Sequence, residues 1–107
     1  MTAVNMDHRQ FEESRKGEKP VLVDFWAPWC TYCRRIGPAY DKIAEEYGDV
    51  LTVGKVNIDE NPQLAQAEQV EVIPTLVLYR NGRAVDSITA PESKAAMDRF
   101  IRAALEK

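Results

Sequence analysis

The sequence predicts an α/β domain built on one mixed β-sheet with helices on both faces. Three observations carry that prediction. Apolar segments of strand length alternate with segments of helical periodicity in the order β-α-β-α-β-α-β-β-α. The last two strand segments are separated by Asn81-Gly82, a two-residue hairpin signal, so a set of strands joined by parallel crossovers ends in an antiparallel pair. The 107 residues, 45% of them hydrophobic, contain no repeat, low-complexity tract or linker, which points to a single domain over residues 1–107 with its own core.

Each element has a local reason. Val4-Asn5-Met6 suits a short edge strand. Asp7 and Gln10 have capping-box spacing before a short helix through Phe11 to about Lys16, which Gly17 ends. Pro20 leads into the apolar strand Val21 to Trp26, interrupted by Asp24 alone. Ile36, Tyr40, Ile43 and Tyr47 recur at three- and four-residue steps, predicting a helix from about Cys33 to Tyr47 closed by Gly48, with Pro38 inside it. Val50 to Ile58 forms the next strand, and its alternation places Leu51, Val53 and Lys55 on one face. Asn61-Pro62 starts a short helix with Leu64 and Ala67 toward the core. Thr75 to Arg80 and Arg83 to Thr89 are the hairpin strands. A last helix, capped from Thr89 in a box with Glu92 or from Ser93, carries Met97, Phe100, Ile101, Ala104 and Leu105 on one face.

Charge excludes some classes of function. The net charge is −3 with both signs interleaved, so no basic stripe suits nucleic acid and no polybasic tail suits a membrane surface. The polar first twenty residues hold no apolar run of signal length, and no segment approaches a membrane span, which predicts a cytoplasmic protein unless a leader has been removed.

The chemistry concentrates at Trp29-Cys30-Thr31-Tyr32-Cys33, which holds both cysteines of the chain. They lie where a strand ends and a helix begins. Free amides and the positive dipole end of a helix stabilise a thiolate, the reactive form of cysteine. Two cysteines three apart in a first helical turn are close enough to join. A lone pair of this spacing in a reducing compartment is catalytic more often than structural. A metal site is the rival reading, but zinc usually takes four ligands and the only other soft candidate is His8, so no metal is expected unless two chains share one. In the strand before the motif, Asp24 is an acid among apolar residues, where burial raises its pKa and a nearby lysine lowers it.

Val23-Asp24-Phe25-Trp26-Ala27-Pro28-Trp29-Cys30, Cys33, Pro38, Lys55-Val56-Asn57-Ile58-Asp59, Ile73-Pro74-Thr75 and Asn81-Gly82 occur in the order and at the spacings of the thioredoxin family, which the chain resembles over nearly its whole length. The resemblance implies a thioredoxin fold and a set of roles. Cys30 corresponds to the exposed nucleophile and Cys33 to the resolving thiol. Asp24 corresponds to the buried acid that exchanges a proton with Cys33, and Lys55 to its charged partner. Pro74 corresponds to the family's cis-proline, which packs on the disulfide and presents backbone to a substrate. Trp29, Ile58, Ile73 and Pro74 correspond to the apolar rim of the substrate groove. The chain departs from the pattern in two places. Thr31-Tyr32 replaces the usual Gly-Pro, which restores an amide at position 32 beside the Cys30 sulfur, adds a bulky edge toward partners, and predicts a more oxidising couple. Ala90 replaces a glycine on the wall opposite Pro74, and with Pro91 it narrows that wall against the usual reductase.

These readings converge on a thiol–disulfide oxidoreductase that reduces protein disulfides with no cofactor beyond the Cys30–Cys33 pair. It would work as a monomer and draw electrons from a reductase. The alternatives are a more oxidising disulfide oxidase or isomerase, and a non-catalytic binding module of the same fold.

Overall fold

The computed structural model describes residues 2–107. The chain runs β1 (Val4–Asn5), α1 (His8–Arg15), β2 (Val21–Trp26), α2 (Thr31–Tyr47), β3 (Thr52–Asn57), α3 (Pro62–Ala67), β4 (Thr75–Arg80), β5 (Arg83–Thr89) and α4 (Lys94–Leu105). Among these residues five strands form one sheet in the order β1-β3-β2-β4-β5. β1 and β2 run parallel to β3, whereas β4 runs antiparallel to β2 and β5 antiparallel to β4. The mixed sheet is as expected, but the direction already reverses between β2 and β4, not only at the hairpin. The length of α3 explains the correction. Six residues of helix span about 9 Å, too little to return the chain along a strand of about 20 Å, so β4 enters the sheet from the end at which β3 leaves it.

The helices cover both faces. Leu22, Leu51, Val53, Leu76 and Leu78 pack beneath Tyr40, Ile43 and Ala44 of α2 and Met97, Phe100, Ile101 and Ala104 of α4. On the opposite face, Val21, Val23, Phe25, Val56, Val77 and Tyr79 pack beneath Phe11 of α1 and Leu64 of α3. Central β2 is therefore buried on both sides, which is why it reads as a continuous apolar run. The Tyr40 hydroxyl, 2.6 Å from the Gly54 carbonyl oxygen and 3.2 Å from that of Leu22, pins α2 across β3 and β2. Gly54 leaves room for Met6: an added Cβ would lie 2.5 Å from the Met6 Cε, so the methionine side chain would have to shift.

Local chemistry sets the element ends. The Asp7–Gln10 capping box forms, with Asp7 Oδ1 accepting the Gln10 amide at 2.8 Å and the Gln10 side chain accepting the Asp7 amide at 2.9 Å. Ser93 caps α4 by accepting the Ala96 amide at 3.1 Å, while Thr89 ends β5 instead of starting a cap. Asn81 and Gly82 take φ of 56° and 79°, the left-handed pair that a tight hairpin between β4 and β5 requires.

Three expectations need correction. β3 is shorter than predicted, Thr52–Asn57. Pro62 opens α3, but the Asn61 side chain caps nothing and donates instead to the Asn57 carbonyl at 3.1 Å. Ala65, not Ala67, is buried beside Leu64, because the chain folds back after α3 and the Val70 amide bonds to the Ala65 carbonyl at 2.9 Å.

Candidate active site

The site forms where β2 ends and α2 begins. The Cys30 amide donates to the Ala27 carbonyl at 3.1 Å, closing a turn that delivers Cys30 as the N-cap of α2. α2 thus starts at Thr31, two residues earlier than the sequence predicts, because Cys30 supplies the cap itself: its sulfur accepts the Cys33 amide at 3.1 Å. The sulfur's donor is therefore the amide of residue 33, where the sequence pointed to that of residue 32. Cys30 and Cys33 form a disulfide with Cα atoms 5.2 Å apart.

Cys30 is less exposed than expected. It retains 8% of its surface and Cys33 3%, because Trp26, Tyr32, Ile58 and Ile73 pack around the pair. The Ile73-Pro74 peptide is cis, and Pro74 is buried. Trp29 stands out of the rim at 65% exposure, with Nε1 donating to Asp59 Oδ1 at 3.1 Å. Thr31 is exposed at the start of α2. The Ala90 amide donates to the Pro74 carbonyl at 2.8 Å, which sets the 90–91 segment against the proline turn. The Tyr32 hydroxyl donates to the Pro91 carbonyl at 2.7 Å.

Ala90 occupies the left-handed region, φ 46°. Each L-residue there costs roughly 1–2 kcal/mol that glycine does not pay. Ala90→Gly is accordingly expected to raise the unfolding free energy by about 1 kcal/mol in a denaturant titration; an equal or lower value would show that the neighbouring bonds compensate the strain.

Beneath the disulfide lies a cavity of about 260 Å³ lined by Asp24, Trp26, Cys33, Arg34, Gly37, Pro38, Tyr40, Asp41 and Lys55. Arg34 and Pro38 are exposed, so it opens to solvent beside the first turns of α2. Asp24 is 3% exposed, and its Oδ1 has no hydrogen-bond partner within the protein. Burial pushes its pKa from 3.8 to about 7, against the opposing pull of Lys55. Asp24 and Lys55 are cross-strand partners in the β2–β3 register. The lysine is not a contact ion-pair partner, however: its ammonium lies 5.0 Å from the Trp26 ring centroid, and no ion pair among the described residues includes it.

Most of the residues singled out in the sequence thus fall in one region, whereas His8 lies apart from the cysteines on α1. Cys30, Cys33, Tyr32, Ile58 and Ile73 share one apolar cluster, Pro74 and Ala90 are joined beside it, and Asp24 and Lys55 lie below. Sequence reasoning missed Asp59 as the partner of Trp29 and Pro91 as the partner of Tyr32. It also took Trp26 only as the end of the apolar strand, although its indole nitrogen is buried without a partner at the cavity. The Asp24–Lys55 register carried a signal for this, since Trp26 lies two residues along the strand on the same face. Among the described residues, no group of three His, Cys, Asp or Glu side chains is arranged to hold a metal ion.

The thioredoxin family model matches residues 2–103. The chain belongs to the thioredoxin family. It is 41% identical to a thioredoxin of Alicyclobacillus acidocaldarius over 82% of this chain and 84% of that one. It is 43% identical to thioredoxin 1 of Synechococcus elongatus over 80% of each. Among solved structures, a single-residue mutant of a thioredoxin from Halobacterium salinarum superposes with a TM-score of 0.87 at 28% identity, covering 95% of this chain and 89% of that one. The fold is the thioredoxin fold, and this member, with its Cys30–Cys33 disulfide, is a thiol–disulfide oxidoreductase that reduces protein disulfides.

Proposed function

We propose that Cys30 attacks the substrate disulfide, that Cys33 resolves the product, and that a separate reductase restores the dithiol. The observation that carries this reading is the position of Cys30 as the cap of α2, with its sulfur on the Cys33 amide. A charge developing on that sulfur meets an existing donor and the positive end of a helix dipole. The Cys30 thiolate attacks one sulfur of the substrate, the substrate S–S bond breaks, and one substrate thiolate leaves. Cys33, having given up its proton, attacks the Cys30 sulfur; the protein disulfide forms and the second substrate thiolate leaves. Two electrons pass to the substrate, and both substrate sulfurs finish as thiols.

Asp24 is the group we assign to the Cys33 proton. Both residues line one cavity, and a carboxyl held near pKa 7 matches a thiol closely enough to exchange a proton at neutral pH. Lys55 keeps that pKa from rising further. The cis Pro74 turn and the Trp29, Ile58 and Ile73 rim form the peptide groove, with Thr31, Tyr32 and Ala90 as its other edges. All are supplied by one chain and one domain, which supports action as a monomer.

A reductase as electron donor is supported by a relative, the bifunctional thioredoxin reductase/thioredoxin of Mycobacterium leprae. It is 43% identical over 81% of this chain, a match that covers 19% of that longer protein. Such a donor, and a pair that must cycle through the dithiol, suit a reducing cytoplasm.

Two measurements test the direction. The protein should accelerate reduction of the interchain disulfides of insulin by dithiothreitol. Equilibrium titration of the Cys30–Cys33 couple, followed by Trp26 and Trp29 fluorescence, should give a potential near or below about −250 mV, around the cytosolic glutathione poise. A value above about −200 mV would favour an oxidase or isomerase instead.

A further inference from the structure

We propose that Tyr32 is a specificity-determining residue: its bond to the Pro91 carbonyl latches one end of the groove, so that the protein favours disulfides whose chain does not have to continue past the 90–91 segment. The inference rests on the groove assigned above. Its basis is a closed ring of contacts around the disulfide. Ile73 packs on the Cys30–Cys33 cluster, the Pro74 carbonyl accepts the Ala90 amide at 2.8 Å, and the Pro91 carbonyl accepts the Tyr32 hydroxyl at 2.7 Å. Tyr32 itself packs back on the disulfide, which completes the ring.

The last link joins segments 59 residues apart in sequence and crosses directly between the motif and the wall. At 2.7 Å the two oxygens leave no room for a peptide backbone between them. Both ends are braced. The Tyr32 ring is half-buried and carries the Arg35 guanidinium 6.0 Å from its centroid, and Pro91 is buried. Ala90, on the same wall, adds a methyl group. A disulfide at a chain end, or in a small molecule, reaches the Cys30 sulfur from the open Trp29 side. A disulfide in the middle of an extended segment has to break the latch or bend away from it.

The test uses the reduced full-length protein and two mixed disulfides with thionitrobenzoate, one of N-acetylcysteine amide and one of a peptide with its cysteine at the centre. Each reaction oxidises the Cys30–Cys33 dithiol and releases one thionitrobenzoate and one substrate thiol, so its rate is followed by colour. Tyr32→Phe keeps the ring and removes the hydroxyl that makes the latch. It should raise the ratio of the rate constant for the central-cysteine peptide to that for the small disulfide about fivefold, the worth of one ordinary hydrogen bond. Tyr32→Ala, which removes the ring as well, should raise that ratio further. Equal changes for both substrates, or none, would overturn the latch. If the unaltered protein reacted with neither, the activity reading itself would fail, which is a distinct result.

Discussion

Replacing Asp24 with asparagine should stabilise the protein at pH 8 by an amount on the order of 4 kcal/mol and leave its stability at pH 3 unchanged. The argument is one of proton linkage. In the unfolded chain the Asp24 carboxyl ionises near 3.8, and in the folded protein near 7. Below 3.8 both states hold the proton and the group contributes nothing to pH dependence. Between about 4 and 7 the folded state holds a proton that the unfolded state has lost, so stability falls as pH rises across that window. Above 7 both states are ionised and the loss is complete. A displacement of about three pKa units at roughly 1.4 kcal/mol each sets the magnitude. Asparagine has the shape of the neutral acid and never pays the cost of a buried charge.

Lys55 does not reverse this expectation. Removing one member of a buried ion pair normally leaves an uncompensated charge, which is destabilising. Lys55 is only half-buried, with its ammonium over the Trp26 ring, so it keeps both solvent and an aromatic face when Asp24 is neutral. Urea titrations of both proteins across this pH range check the prediction. If Asp24→Asn retained the same fall in stability between pH 4 and 7, another group would be responsible. The variant should also turn over about tenfold more slowly at pH 7, a modest loss for a proton-accepting group, because solvent entering beside Arg34 and Pro38 can take the Cys33 proton in its place.

The same strand shows what sequence can and cannot reveal. β2 was legible because burial on both faces leaves a run of apolar residues, and within such a run an acid is conspicuous. Asn81-Gly82 was legible because a tight hairpin needs positive φ at both positions. The antiparallel entry of β4 was not, since it follows from how far α3 carries the chain, and element order alone carries no such length. Ala65 in place of Ala67 was hidden for a related reason: the face a six-residue helix buries is decided by where the following chain folds back.

At the site, local patterns singled out candidate residues but did not show how they meet. Cys-x-x-Cys at a strand end placed Cys30 and Cys33 at a helix start, whereas the identity of the amide on the Cys30 sulfur depends on where the helix begins, and terminal residues of a helix are the least certain part of any such reading. The bond from Tyr32 to Pro91 joins one departure from the family pattern to the residue beside the other, Ala90. The two departures looked independent in the sequence, and only the fold brings Tyr32 within 2.7 Å of the 90–91 segment.

Cys30→Ser should reduce insulin turnover to the rate of dithiothreitol alone, while Cys33→Ser should convert the protein into a covalent trap. The two outcomes differ because the cysteines occupy different positions in one turn. Serine at 30 supplies a hydroxyl that is not ionised at neutral pH, and Cys33, 3% exposed beneath the cluster, is poorly placed to attack in its stead. Serine at 33 leaves the Cys30 thiol and keeps the bond from the amide of residue 33, because that bond comes from the backbone. The first attack therefore proceeds.

What Cys33→Ser loses is the second step. A resolving thiol in the same helical turn acts at an effective concentration that no external thiol matches; intramolecular reactions of good geometry reach effective molarities of about 10⁵ M or more. Without it, the Cys30–substrate mixed disulfide persists until an added thiol finds a nearly buried bond. Mass spectrometry of the variant after exposure to a disulfide-containing protein, with no reductant present, should show one substrate chain attached through Cys30. Trapping by Cys30→Ser instead would exchange the two roles. Full turnover by Cys33→Ser would mean that an external thiol, and not Cys33, completes the reaction, and the proton assigned to Asp24 would then have no donor.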